Sequence, residues 1–283
     1  MTLLQALVLG LVQGLTQFLP VSAEAHLRIV PALFGWRFHG GTGVEPGVGF
    51  IGIMQLGTTA AILVYFWREL LQVSVAWIRG LYDRSVRGSL EYRLGWYLIL
   101  ATIPAVALGV IFTDRLEAGG RNLWLVAGVL IGFGLLLGVA ERIGRRRREE
   151  EGLNRLDAIV VGTAQTVALI PGASRSATTI AAGLFRGLTR EAAVRFSFLL
   201  SVPAVVLFGV YGAVRAVNHP TRGPGTGLVG VAVIVAFVVG LGSLAFFVRW
   251  VTNHSTLVFV CYRIALGVLV LVLLYTGTLR ATA

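Results

Sequence analysis

Hydrophobic residues run in long blocks along this chain, not in the alternating or amphipathic patterns of water-soluble elements. Six blocks are long enough to cross a hydrocarbon layer of about 30 Å: 48–67, 94–113, 123–140, 192–217, 228–248 and 256–276. Two further apolar stretches differ. Residues 2–19 and 156–170 each end at a proline, Pro20 and Pro171, then pass through small and polar residues into another short apolar piece. A helix continues through such a break only where neighbouring groups satisfy the freed backbone, so both stretches predict re-entrant hairpins with tips buried in protein. The expected fold is an all-α polytopic membrane protein with six transmembrane helices plus two re-entrant helical hairpins.

Three spans follow each hairpin, and an odd number makes the two halves oppositely oriented. Gln13 and Ser22 stand nine residues apart around the first break, as do Gln165 and Ser174 around the second. This predicts an inverted-topology repeat in a single membrane domain, residues 1–283, with repeat 1 at about 1–140, a loop at about 141–155 and repeat 2 at about 156–283. Its ligand site is expected where the broken segments meet near the midplane.

Composition agrees with a membrane setting: 56% of the 283 residues are apolar and only 13% charged, with a mean hydropathy of +0.83. All 24 basic residues are Arg, and the formal net charge is +11. Most of them fall between apolar runs, notably Arg79, Arg84, Arg87 and Arg93 in one loop and Arg142, Arg145, Arg146, Arg147, Arg148 and Arg155 in another. Such loops mark the cytoplasmic side, so the basic excess orients the spans and calls for no nucleic acid partner. Six spans then place both termini outside. The N-terminal run lacks a basic leader and belongs to the mature fold. The single cysteine, Cys261, excludes an intrachain disulfide and is expected to be core packing.

The second tip, Pro171 to Thr179, reads PGASRSATT. Gly172 permits a tight turn, the free N–H groups of the following helix carry positive partial charge, and Ser174, Ser176 and Thr179 add hydroxyls. Arg175 completes an anion cradle. An arginine at membrane depth calls for an anion, and a guanidinium grips two phosphate oxygens at once. A structural alternative has Arg175 paired with Glu24 as a bolt between hairpins. In the first tip Gln13 and Gln17 share a helix face with Thr16 beside them, able to bind a ligand or to seam two helices. Glu24 and His26 are the only acid and imidazole near either tip and are the acid–base or nucleophilic candidates. His39, His219 and His254 carry no motif.

Residues 13–22, QGLTQFLPVS, with Ala25-His26-Leu27, and residues 171–176, PGASRS, with Thr179, resemble the two signature motifs of the undecaprenyl-pyrophosphate phosphatases, the BacA family. Gln55-Leu56-Gly57 and the stretch Arg195 to Leu200 before Pro203 extend the resemblance along nearly the whole chain. It implies a multi-pass hydrolase of the bacterial cytoplasmic membrane, with its active site facing outside. That enzyme converts polyprenyl (C55) pyrophosphate to polyprenyl phosphate plus phosphate, which recycles the lipid carrier for peptidoglycan synthesis and lowers bacitracin sensitivity. It also implies a Mg²⁺ or Ca²⁺ cofactor, an apolar groove for the prenyl chain and, as an assembly to expect, a homodimer.

Carried over by position, Ser174, Arg175, Ser176 and Thr179 match the family's pyrophosphate-binding residues. The first motif departs. Gln13 and Gln17 stand where the family has an acidic pair, and Ser22-Ala23-Glu24 replaces a run of hydroxyls. The expected catalytic group is Glu24, His26, Arg175 and Ser174. Substrate binding falls to Gln13, Gln17, Ser22, Gly172, Ser176 and Thr179, with Glu24 as the one metal ligand. A neutral amide neither takes a proton at pH 7 nor balances a metal's charge. Three readings stay open: Glu24 has taken over the acidic role, the chain binds polyprenyl phosphates but hydrolyses them poorly, or the site is a disabled one. A non-hydrolytic polyprenyl-phosphate binder or flippase-like transporter is the alternative function.

Overall fold

A computed structural model describes residues 1–36, 48–111, 122–218 and 226–281, and the secondary structure there is helical apart from isolated bridge residues, among them Arg148 paired in parallel with Leu188. The helices are α1 Leu3–Phe18, α2 Ala23–Leu33, α3 Val48–Tyr65, α4 Trp67–Tyr82, α5 Leu90–Ile111, α6 Leu123–Ile143, α7 Arg155–Val167, α8 Arg175–Phe185, α9 Arg190–Asn218, α10 Thr226–Asn253 and α11 Leu257–Tyr275. Both proline-broken stretches fold as helix pairs, α1–α2 and α7–α8. Each opens on a capping box, Thr2 with Gln5 and Asn154 with Asp157, which satisfies N–H groups the first turn leaves unpaired. His39 and His219 lie outside the described residues.

Among the described residues four helices are long and apolar enough to cross a membrane: Leu90–Gly109, Leu123–Ile143, Gly227–Asn253 and Leu257–Tyr275. A fifth candidate is bent. Instead of running from a span into a loop at 79–93, the chain turns by 74° after Tyr65 into α4. Trp67, Leu71, Val75 and Ile78 lie three or four residues apart on the exposed side of α4, the stripe of a helix lying in a membrane interface. The expected span at 192–217 is helical throughout, but its first turns carry Arg190, Glu191 and Arg195.

Packing is matched between the two hairpins. α1 lies on α10 and α7 lies on α5, while α10 packs on α3 and α5 on α9. The α3–α9 and α6–α11 contacts close the bundle. Both hairpin contacts pivot on a glycine, at positions 152 apart. A Cβ on Gly10 would come within 2.7 Å of the Ala232 carbonyl oxygen, and one on Gly162 within 2.6 Å of the Ala101 Cβ. Below the tips, Phe18, Phe198, Phe247 and Phe259 form a run of edge-on rings with centroids 5.2–5.9 Å apart, joining the first hairpin to α9, α10 and α11.

The arginine-rich end is held by buried acids. Asp157 Oδ1 accepts from Arg148 (3.0 Å) and Arg186 (2.8 Å), and its Oδ2 accepts from Arg148 (2.5 Å) and the Asn154 N–H (3.0 Å). Burial alone would raise this carboxyl, but the bonds from Arg148, Asn154 and Arg186 hold it below the usual carboxylate range. Glu141 joins Arg146, Arg190, Ser255 and Thr256, and Arg195 bridges Glu69 and Glu150. Loop 144–154 is thereby tied to α4, α7, α9 and the α10–α11 turn. Cys261, expected in the core, is exposed on α11. It stands two residues before Arg263, which points inward and is fully buried.

Candidate active site

The two hairpin tips meet. Ser22 and Ser174 cap α2 and α8, each 11 residues long, and both serines adopt a left-handed φ, 73° and 69°, rare outside glycine. Each Oγ accepts from the backbone N–H three residues on, Ala25 and Ala177. Strain of this kind persists only where the surroundings over-determine it, and here two chain breaks 152 residues apart hold it identically. Ser176 Oγ donates across the interface to the Leu19 carbonyl at 3.2 Å and lies 3.2 Å from Ser174 Oγ.

The main tie between tips is a residue the sequence reading passed over. Arg263 of α11 is fully buried and donates to four carbonyls: Leu130 (3.3 Å), Pro20 (3.2 Å), Gly172 (3.0 Å) and Ala173 (3.1 Å). It has no acidic partner among the described residues, so its charge is spread over backbone dipoles of both tips. Arg175 is therefore not the sole arginine there, and the bolt imagined between Arg175 and Glu24 is made by Arg263 instead. An arginine inside an apolar run was the available signal.

Arg175 stands half-buried at the first position of α8, and its guanidinium has no hydrogen bond or ion pair among the described residues. Glu24, exposed at the start of α2, lies within its electrostatic reach without forming an ion pair. His26 is buried. Its Nδ1 lies 2.8 Å from the Ser22 carbonyl oxygen and its Nε2 2.7 Å from the Tyr262 hydroxyl. A carbonyl only accepts, so Nδ1 carries a proton and Nε2 of the neutral ring is the acceptor.

The remaining expected residues divide. Gln13 is buried, donating to Gln17 at 3.1 Å and Thr58 at 3.5 Å, so this pair seams α1 to α3. Its counterpart Gln165 is equally buried with neither amide group paired. The Thr179 hydroxyl is committed to the Arg175 carbonyl at 2.7 Å and to Ser197, and the Gly172 carbonyl to Arg263. A Cβ on Gly172, at φ 94°, would approach the Val126 oxygen of α6 to 2.9 Å. Thr179 and Gly172 thus build the tip, whereas Arg175, Ser174, Ser176, Ser22 and His26 gather at the two helix starts. No three His, Cys, Asp or Glu side chains cluster among the described residues. With Glu24 as the one carboxylate at the tips among the described residues, the donor set described does not fit a protein-held divalent cation.

The family model described as bacitracin resistance protein BacA matches residues 6–269. The chain is 47% identical over 281 residues to the undecaprenyl-diphosphatase of Mycobacterium ulcerans (strain Agy99), covering 98% of this chain and 99% of that protein. It is 46% identical over 277 residues to that of Corynebacterium efficiens, covering 98% and 92%. It is also 46% identical over 290 residues to that of Chloroherpeton thalassium, covering 99% and 100%.

Proposed function

The chain belongs to the bacitracin resistance protein BacA family, and from that premise we propose that it is a membrane-embedded undecaprenyl-diphosphatase, releasing phosphate from a polyprenyl diphosphate. The observation that carries the site is the unpartnered guanidinium of Arg175 at the start of α8. A diphosphate there would meet a planar cation, the first N–H groups of α8 and the hydroxyls of Ser174 and Ser176, all of which favour negative charge. Positioning and charge stabilisation supply most of the catalysis of phosphoryl transfer. His26, with Nδ1–H fixed on the Ser22 carbonyl, presents Nε2 as the base for the attacking water. Glu24 is the carboxylate nearest that chemistry among the described residues.

The prenyl chain would lie in an apolar groove of about 520 Å³ on α6, lined by Trp124, Gly128, Val129, Gly132 and Phe133 among others. Val129 touches the Gly172 position, so the groove begins at the tip. Equal hairpins 152 residues apart and the paired packing of α1 on α10 and α7 on α5 support two inverted halves. With loops rich in Arg inside, this arrangement turns the site to the outer face of the cytoplasmic membrane.

Phosphate release from a C55 or C15 diphosphate by purified protein in detergent tests the function. Arg175→Ala should abolish release and weaken substrate binding while shifting thermal stability little, since the guanidinium makes no hydrogen bond or ion pair among the described residues. Unchanged binding and turnover would refute the site. A second reading, a non-hydrolytic polyprenyl-phosphate binder or flippase, is favoured by the neutral Gln17 and by Ala23. It predicts lipid binding by the wild type with no phosphate released even after Gln17→Glu and Ala23→Ser are introduced together.

A further inference from the structure

The hydrogen-bond partner of the His26 Nε2 is the Tyr262 hydroxyl at 2.7 Å, and the two rings lie within 5° of parallel with centroids 5.7 Å apart. We propose that Tyr262 is a positioning residue for His26 that also relays its Nε2 proton, an inference that rests on the phosphatase reading above for its catalytic consequence.

With Nδ1–H given to the Ser22 carbonyl, neutral His26 accepts the Tyr262 O–H at Nε2. Once protonated, the ring has two donors, and Nε2–H then needs an acceptor. The tyrosine oxygen supplies it by turning its own proton outward, which its position allows because Tyr262 is 46% exposed and His26 only 7%. The imidazolium needs that help. The charged neighbour facing it is Arg263, on the same helix as Tyr262, and like charges disfavour one another. Among the described residues, α1 and the part of α6 near the tips carry no ionisable residue, and on α2 itself Glu24 is exposed and Arg28, a second cation, is half-buried. Two acceptors, the Ser22 carbonyl and the Tyr262 oxygen, are what make a protonated ring tolerable beside a buried cation.

In the reaction, the Tyr262 hydroxyl yields its place at Nε2 to water. The water oxygen bonds to the terminal phosphorus, the bridging P–O bond breaks, and its electron pair leaves with the polyprenyl phosphate. The water's proton goes to Nε2. Nε2–H then passes to the Tyr262 oxygen as that hydroxyl gives its own proton to an oxygen of the released phosphate, and both side chains return to their starting state.

Tyr262→Phe keeps the ring and removes the hydroxyl, and its effect can be read in two ways. Turnover of a C15 diphosphate should show kcat lowered roughly 10- to 100-fold, less than the loss of a general base itself, with KM changed by less than about twofold. In ¹⁵N-histidine NMR of the detergent-solubilised protein, which needs no turnover, the His26 titration midpoint should fall by about one pH unit, the worth of one hydrogen bond. Wild-type kinetics and an unmoved midpoint in the variant would overturn the proposal. If the wild type releases no phosphate, the phosphatase reading fails, while the NMR shift still decides the Tyr262–His26 coupling. Should the variant not fold, the wild-type spectrum decides alone: a neutral ring protonated at Nε2 rather than Nδ1 would refute the arrangement.

Discussion

Replacing Arg263 tests how the two tips are held. Arg263→Met keeps roughly the same volume and strips four N–H donors from the carbonyls of Leu130, Pro20, Gly172 and Ala173. Hydrogen bonds from a charged donor are worth about 1.5–3 kcal/mol each, or about 6–12 kcal/mol for four. Against that stands the cost of keeping a guanidinium out of water, several kcal/mol. The balance is a loss of about 3–5 kcal/mol, the usual result of removing one partner of a buried charged network. At about 2–4 °C per kcal/mol for a chain of this size, melting in detergent, followed by tryptophan fluorescence, should fall by roughly 10 °C. Phosphate release should fall about 100-fold or more, since a shift of about 1 Å between the tips is enough for that. Arg263→Lys retains the charge but presents one ammonium where a fork reaches both tips and α6, and should recover little of either quantity. A Met variant that melts within about 2 °C of wild type with wild-type turnover would refute the reasoning, and full activity in the Lys variant would show that charge rather than the fork matters.

Gln17→Glu combined with Ala23→Ser restores an acid and a hydroxyl to the first tip, and phosphate release should rise by about 10²-fold or more over wild type in the same detergent assay. Asp157→Asn should lower the melting temperature at neutral pH by an amount equivalent to about 3 kcal/mol, through Arg148 and Arg186 losing their shared anion. Because the folded carboxyl lies below its unfolded value of 3.8, that stabilisation is present above pH 4 and disappears as pH falls further. Melting curves of wild type and variant should therefore differ equally at pH 7 and pH 5 and converge below pH 4. Gly162→Val places a branched side chain against Ala101 at the α7–α5 contact and should cost about 1–3 kcal/mol by the same melting assay.

The hairpins were legible because a proline followed by small and polar residues cannot pass for a span, so the chain itself punctuates the tips. Arg175 and His26 followed from that, being polar residues on segments already marked as broken. Tyr262 and Arg263 escaped notice because they sit in a run whose average is strongly apolar, and block-length reasoning averages over them. Their partners lie 236, 243, 91 and 90 residues away in sequence, a relation that no local pattern carries. α4 was missed for a different reason. Its Arg and Glu residues resemble a loop in a hydropathy profile, and only the four-residue spacing of Trp67, Leu71 and Val75 distinguishes an interfacial helix. Thr179 and Gly172 have the residue types of a phosphate cradle, yet their polar atoms are consumed in holding its shape.

The serine caps have one more consequence. Four residues beyond Ser22 stands His26, and four beyond Ser174 stands Thr178, whose hydroxyl lies 3.1 Å from the Ser174 carbonyl just as the imidazole Nδ1 lies 2.8 Å from that of Ser22. The same backbone oxygen, aimed the same way, thus receives a short hydroxyl in one copy and an aromatic base in the other. At the next register, Ala23 occupies the place that Arg175 fills in the second copy. The two tips share one backbone geometry and differ in what it carries: the second bears the cation and a hydroxyl, and the first bears alanine in the place of the cation and an imidazole in the place of the hydroxyl. The guanidinium and the imidazole thus stand on separate helix starts held by the same serine cap, so either can be substituted without touching the backbone turn that supports the other.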